Sequence, residues 1–190
     1  MLNSIKLKLG LIKRTDEEII ELLYGFHITM AQNIIEDKIC NKEMVEEQKA
    51  EVLLFLWLTS GVPFLFNCKN KNFKNILDNN IYDIIFGRLK NDYSNEVFDS
   101  IYISRRKIYS NLLKSNLPSL TFQDYLKITN KFLFETPFEE TTEEEELTKL
   151  GISFDFIGGF NKSVEISNII EHILPAYSKV LKRFSKMTKK

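Results

Sequence analysis

His27 is the first of two polar residues that the sequence places on an apolar face and that could do chemistry. It lies four residues after Leu23 and four before Ala31, so helical spacing turns its ring inward. A buried imidazole could act as a base or as a pH-sensitive hinge, because desolvation lowers its pKa. We favour the alternative of a core histidine bonded to a backbone carbonyl or to a tyrosine, since buried polar groups are normally satisfied in this way.

Arg105 is the second such residue, and it stands in the middle of an apolar stripe. That stripe is formed by Phe98, Ile101, Tyr102, Ile108, Tyr109 and Leu112. One interpretation is a cleft in which Arg105 binds an anionic ligand while Tyr102 and Tyr109 stack on its guanidinium. The other, which we favour, is an internal ion pair with an acid of another helix, or an arginine at the core edge whose head reaches water.

Other catalytic signatures are missing from the sequence. It contains no glycine-rich nucleotide loop, no nucleophile elbow, no metalloprotease helix and no calcium-binding loop. With two histidines, a multi-histidine metal site is hard to assemble, so we expect no metal and no cofactor, and we lean against an enzyme. Cys40 and Cys68 do not form a C-x-x-C pair, which favours a reducing, cytoplasmic setting, with a single disulfide as the alternative.

Charge is segregated along the chain although the formal net charge is zero. Seven acids lie between positions 135 and 146, and six bases with no acid lie between Lys179 and Lys190. Glu143, Glu144, Glu145 and Glu146 could dock on a basic partner, or could serve the capping and dipole of a helix that begins at Thr142. The basic ends could contact an anionic membrane surface or nucleic acid, or be solvated tails.

Helices must position these side chains, because apolar residues recur every three or four positions. Thr15 is the predicted N-cap of the first helix, whose stripe comprises Ile19, Ile20, Leu23, Phe26, Met30, Ala31 and Ile34. Asn41 is the predicted cap of a second helix, which is apolar on every side over 52–58 and is expected to stop at Gly61 and Pro63. That apolar stretch, 52–66, is too short to span a membrane and favours a buried central helix.

Further helices are predicted along the rest of the chain. Asn79 and Asn80 are expected to form a turn between two short helices, and a long helix is predicted over 95–113. Two more helices are predicted over 121–137 and 142–150, followed by an extended segment over 152–156. In the last helix, which reaches Phe184, Pro175 is expected to cause a kink.

Together these patterns predict one domain over 1–190, an all-α, irregular or orthogonal bundle of six to seven helices with one minor extended element. Residues 1–14 and 185–190 are candidates for flexible ends.

The functional hypothesis is a non-catalytic protein-binding factor, such as an immunity protein, antitoxin, inhibitor or phage accessory or assembly protein. The alternatives are a small enzyme or ligand-binding domain with an anion cleft at Arg105, and a membrane-surface or nucleic-acid-associated protein that uses its basic ends. The abundance of Asn, Ile and Lys suggests a low-GC bacterium, a phage or a virus as the source.

Overall fold

The computed structural model describes residues 13–40, 43–113, 137–138 and 169–189, and this part of the chain is all-α. It contains five helices. Helix α1 spans Asp16–Thr29 and continues in π-helical turns over Met30–Cys40, and helix α2 spans Glu46–Leu56, π-helical turns over Trp57–Gly61 and then Val62–Asn67. Helix α3 spans Lys71–Phe86 and ends in a 3-10 turn over Gly87–Leu89, α4 spans Asn95–Leu113, and α5 consists of a π-helical turn over Ile169–Ile173 followed by Leu174–Met187. The predicted helices over 121–137 and 142–150 and the predicted extended segment lie outside the described residues.

Helix α1 begins after Thr15, as the sequence predicts, but its second half does not keep the 3.6-residue period of an α-helix. The Thr15 hydroxyl accepts from the Glu18 N–H, and the Glu18 carboxylate accepts from the Thr15 N–H, which forms a complete capping box. Beyond Thr29 the turns widen, because the main chain adopts the i→i+5 hydrogen bonds of a π-helix. The buried stripe therefore moves on to Ile35, and Ile34 is only half-buried.

Helix α2 is the centre of the bundle, as the sequence predicts. Every residue from Ala50 to Leu58 is buried, and the helix contacts all four other described helices. It begins at Glu46, four residues later than a cap at Asn41 would allow, and Asn41 itself lies outside the described residues.

The expectation that α2 stops at Gly61 and Pro63 is wrong. Wide turns over Trp57–Gly61 precede the proline, and the Val62 N–H bonds to the Trp57 carbonyl. Pro63 then falls in the first turn of the next α-helical piece, where a missing N–H costs nothing. The whole helix, Glu46–Asn67, is long and apolar enough to cross a membrane by length and composition, but 61% of its most apolar window is buried inside the protein.

The predicted turn at Asn79 and Asn80 is also wrong, because α3 is continuous there. Asn70 caps this helix by accepting from the Phe73 N–H, and the Asn80 amide folds back to donate to the Ile76 carbonyl. The helix buries seven apolar side chains, a gain that outweighs the weak helix propensity of two adjacent asparagines. Helix α4, in contrast, has the bounds that the sequence predicts.

The two ends of the described chain meet. Arg14 and Thr188 form an isolated parallel bridge, and the Arg14 N–H donates to the Met187 carbonyl over 2.8 Å. The Lys13 ammonium donates to the carbonyls of Lys186 and Thr188. The side chain of Asn70 donates to the carbonyl of Thr188 as well, so the start of α3 is attached to the same place.

Candidate functional site

Arg105 and Glu51 form a buried ion pair at the centre of the bundle. Both side chains are fully buried, with 0% exposure. The Arg105 Nη2 lies 2.7 Å from Glu51 Oε1, and Nε lies 3.1 and 3.2 Å from the two carboxylate oxygens. Two guanidinium nitrogens on one carboxylate form a fork geometry, which is the strong form of this interaction. The missing counter-charge of Arg105 is therefore Glu51 of α2.

A third group completes this ion pair. The backbone N–H of Phe138 donates to Glu51 Oε1 over 3.1 Å. Burial raises the pKa of the Glu51 carboxyl, and the Arg105 charge and the Phe138 N–H oppose that rise. Phe138 has a φ of 62°, in the left-handed region that a phenylalanine seldom adopts. Its ring packs edge-on against Phe86 and Phe98, so packing and the hydrogen bond together hold this conformation.

The tyrosines predicted to flank Arg105 have other contacts. Tyr109 is fully buried, and its ring packs edge-on against Phe55 of α2 at 5.2 Å. Tyr102 is half-buried and packs against Tyr82 of α3. With its surface fully enclosed and Glu51 bound to its fork, Arg105 offers no open face to an external anion. The geometry is that of the internal ion pair with an acid of another helix.

His27 has the two partners that the core interpretation proposes. Its Nδ1 lies 2.7 Å from the Leu23 carbonyl, and its Nε2 lies 2.8 Å from the Tyr177 hydroxyl of α5. A carbonyl can only accept, so Nδ1 carries the proton and Nε2 accepts from the tyrosine. Burial lowers the pKa of His27 to about 4, against a smaller opposing effect of the bond to Leu23. The neutral imidazole thus joins α1 to α5.

Glu51 is the member of this centre that the sequence reasoning missed. It ends the polar half of the second helix and so resembles a surface residue. A usable signal existed, however, because Glu51 lies one turn before Leu54 and Phe55 in a helix that is apolar on every side from the next residue onward. A carboxylate at that point must enter the core.

An open groove runs along the outer face of α1, beside the end of α5. Its volume is about 530 Å³, and its lining comprises Arg14, Glu18, Glu21, Leu22, Gly25, Phe26, Thr29 and Phe184. The floor is apolar, whereas the rim holds an ion pair of Arg14 with Glu18 and the exposed Glu21. Gly25 lies in this lining, and a Cβ built on it would meet no atom within 4 Å.

A group of exposed bases lies where the chain ends meet, and we call it the basic patch. It consists of Lys13, Lys69, Lys71, Lys179, Lys182, Arg183, Lys186 and Lys189. None of the ion pairs found within the described ranges involves a member of this patch. Lys69 and Lys71 belong to it because Asn70, between them, bonds to the carbonyls of Ser185 and Thr188.

Two further predictions from the sequence concern the acidic run and metal binding. Glu143, Glu144, Glu145 and Glu146 lie outside the described residues. In the described part of the chain, no three His, Cys, Asp or Glu side chains are placed to hold a metal ion. Cys68 is unbridged, and its Sγ lies 3.3 Å from the Ser185 hydroxyl.

Comparisons with known proteins give no relative. No protein-family model matches the chain, and neither a curated protein nor a solved structure is significantly similar to it. The features of the described chain that can support a function are the groove, the buried centre and the basic patch.

Proposed function

We propose that this protein is a non-catalytic protein-binding factor, of the immunity, antitoxin, inhibitor or phage accessory kind, and that the groove on α1 holds its partner. The observation that carries this proposal is Gly25. A glycine in the middle of a helix costs about 1 kcal/mol relative to alanine. No contact within the described chain requires a glycine at this position, since a Cβ built there would meet no atom within 4 Å.

A close approach by another molecule would explain that glycine. An amphipathic helix can lay an apolar stripe on a floor made by Leu22, Phe26 and Phe184, and its backbone can come nearest at Gly25. At the rim, Arg14 is already paired with Glu18, so Glu21 is the charge left to meet a base of the partner. The expected partner segment therefore has an apolar face edged by lysine or arginine.

The buried polar groups support a binding role over a catalytic one. Glu51 and Arg105 neutralise each other, and His27 is kept neutral by its burial while its two ring nitrogens are bonded to Leu23 and Tyr177. These side chains would have to leave their partners before they could reach a substrate. The acidic residues Glu143–146 remain a second proposed contact for a basic partner, and the full bundle remains proposed at six to seven helices.

The test compares two glycines whose surroundings are equally open, one within α1 and one at the end of α3. Gly25 and Gly87 are both exposed, and a Cβ on either meets nothing within 4 Å. Tagged wild-type protein, Gly25→Leu and Gly87→Leu are used to capture partners from an extract of the organism that encodes the protein. We expect one stoichiometric partner with the wild type and with Gly87→Leu, and its loss with Gly25→Leu.

Two results would contradict the proposal. One is the absence of a stoichiometric partner for the wild type, together with no phenotype after charge reversal across Glu143–146. The other concerns Gly25→Ala, which should raise the free energy of unfolding by about 0.5–1 kcal/mol if the groove is empty in the free protein. A decrease would mean that the chain itself already fills the groove.

A further inference from the structure

From Lys179 to Lys186, every exposed residue of α5 is a base. At 3.6 residues per turn, Lys179, Lys182, Arg183 and Lys186 fall within an arc of about 100°. The opposite side of the helix is buried through Tyr177, Leu181 and Phe184. Like charges three and four residues apart weaken a helix. No acid occurs between Leu174 and Lys189 to relieve this repulsion within the helix.

The same charge continues past the end of α5 onto two other elements. Lys13 lies against the carbonyls of Lys186 and Thr188, and Lys69 and Lys71 flank the asparagine that bonds to Thr188. Glu17, at the start of α1, interacts electrostatically with Lys189 at the edge of the patch. The result is a broad surface rather than a single row, drawn from three separate parts of the chain.

An exposed aromatic side chain lies three residues before Lys69 of the patch. Phe66 is 77% exposed, the largest exposed fraction of any large apolar residue in the described part of the chain. It lies in the last turn of α2, two residues before Cys68, whose Sγ contacts the Ser185 hydroxyl between the bases of α5. A phenylalanine that is so exposed gains little from burial within the protein, but it can enter the acyl boundary of a bilayer.

We propose that the basic patch and Phe66 form an attachment surface for an anionic lipid bilayer. This surface shares no residue with the lining of the groove on α1, and the proposal does not depend on the proposed function. Seven of the eight bases are lysines, which act as flexible point charges that suit phosphate and carboxylate headgroups without fixed geometry. Sequence reading of nucleic acid would instead require arginine or amide side chains aimed at base edges, and the arc on α5 contains none but Arg183.

The experiment measures co-sedimentation of the full chain with vesicles. One set of vesicles is pure phosphatidylcholine, and the other contains about one third phosphatidylserine. We expect binding only to the anionic set, and we expect it to be lost as salt rises from about 50 mM to about 500 mM, because screening shortens the reach of surface charges. A labelled single-stranded oligonucleotide is measured under the same conditions.

The variants separate charge from insertion. Lys182→Gln combined with Lys186→Gln should weaken vesicle binding about 25-fold, at about fivefold for each base near the surface. Arg106→Gln with Lys107→Gln removes two exposed charges from α4 and should leave binding unchanged. Phe66→Ala should weaken binding to vesicles and not to the oligonucleotide. All these side chains are exposed, so circular dichroism and thermal unfolding should match the wild type.

Three outcomes would overturn the proposal. The first is no binding to anionic vesicles, and the second is equal binding to both vesicle sets. The third is tighter binding to the oligonucleotide than to the vesicles with no effect of Phe66→Ala, which would identify a nucleic-acid surface. None of these outcomes changes the capture experiment on Gly25, so the two proposals can fail separately.

Discussion

Acid should destabilise this protein through His27, and the size of the effect can be worked out. Burial lowers the pKa of His27 to about 4, whereas a histidine in the unfolded chain titrates near 6.5. Between these two values the unfolded chain binds more protons than the folded one, so the free energy of unfolding falls as the pH falls. The stability that the folded protein has with a neutral His27 is fully present above about pH 6.5, the pKa of a histidine in the unfolded chain, and it is lost progressively between about pH 6.5 and pH 4. A difference of 2.5 units corresponds to about 3 kcal/mol.

The chain offers a clean assay for this prediction, because it has two histidines and His172 is exposed. In a His172→Gln background, His27 is the one remaining imidazole, and its ring protons can be followed by NMR from pH 8 to pH 3. Urea unfolding of this protein is compared with that of His172→Gln/His27→Gln across the same range, so that carboxylate effects common to both cancel. We expect the protein that retains His27 to lose about 3 kcal/mol more on acidification. An NMR pKa above 6, or equal pH slopes for both proteins, would refute the reasoning.

Three further predictions concern the core. Glu51→Leu and Arg105→Met should each lower the free energy of unfolding by about 3–5 kcal/mol, because each leaves one buried charge unpaired. The double variant should lose less than the sum of the two, since no unpaired charge remains, and additive losses in urea unfolding would contradict the ion pair. Gly61→Ala should lower the free energy of unfolding by about 1–3 kcal/mol and shift the fluorescence of the single tryptophan, since the added Cβ would overlap the Trp57 indole. An unchanged emission spectrum and unfolding midpoint would count against that packing. Phe138→Ala should lower the free energy of unfolding by about 3 kcal/mol in a thermal unfolding experiment, because it leaves a cavity where a buried ring was packed. An unchanged stability would show that the ring is not needed there.

Local features of the fold could be predicted because they depend on neighbours in the sequence. The Thr15 cap, the bounds of α4 and the burial of 52–58 all follow from residues within two turns of one another. The inward direction of His27 and Arg105 follows from the same periodicity. What periodicity cannot supply is the partner of an inward group, since Tyr177 is 150 positions away from His27 and Glu51 is 54 away from Arg105.

The errors in helix bounds have a different origin, which is packing that overrides local preference. Gly61 and Pro63 are helix breakers in an isolated chain, but wide turns let the buried helix continue through them. Gly61 has a further purpose, because any side chain there would meet the Trp57 ring. Asn79 and Asn80 likewise remain in a helix whose apolar face is buried. A preference of about 1 kcal/mol or less for each glycine or asparagine cannot compete with burial of several large side chains, and Pro63 avoids most of its larger penalty by lying in the first turn of a helical piece.

The buried centre also constrains where function can reside. Arg105 and the Phe138 N–H both donate to Glu51 in the core, so moving either Arg105 or Glu51 out to solvent would leave the other charge unpaired in the core. A catalytic role for this set would require opening the bundle at its most buried helix. The groove at Gly25 and the basic patch need no such opening. They would differ in their response to salt, because apolar contact is little affected by screening whereas attachment through the eight exposed bases of the patch is strongly affected. A partner that remains bound at high salt would therefore point to the groove, and one that is released would point to the patch.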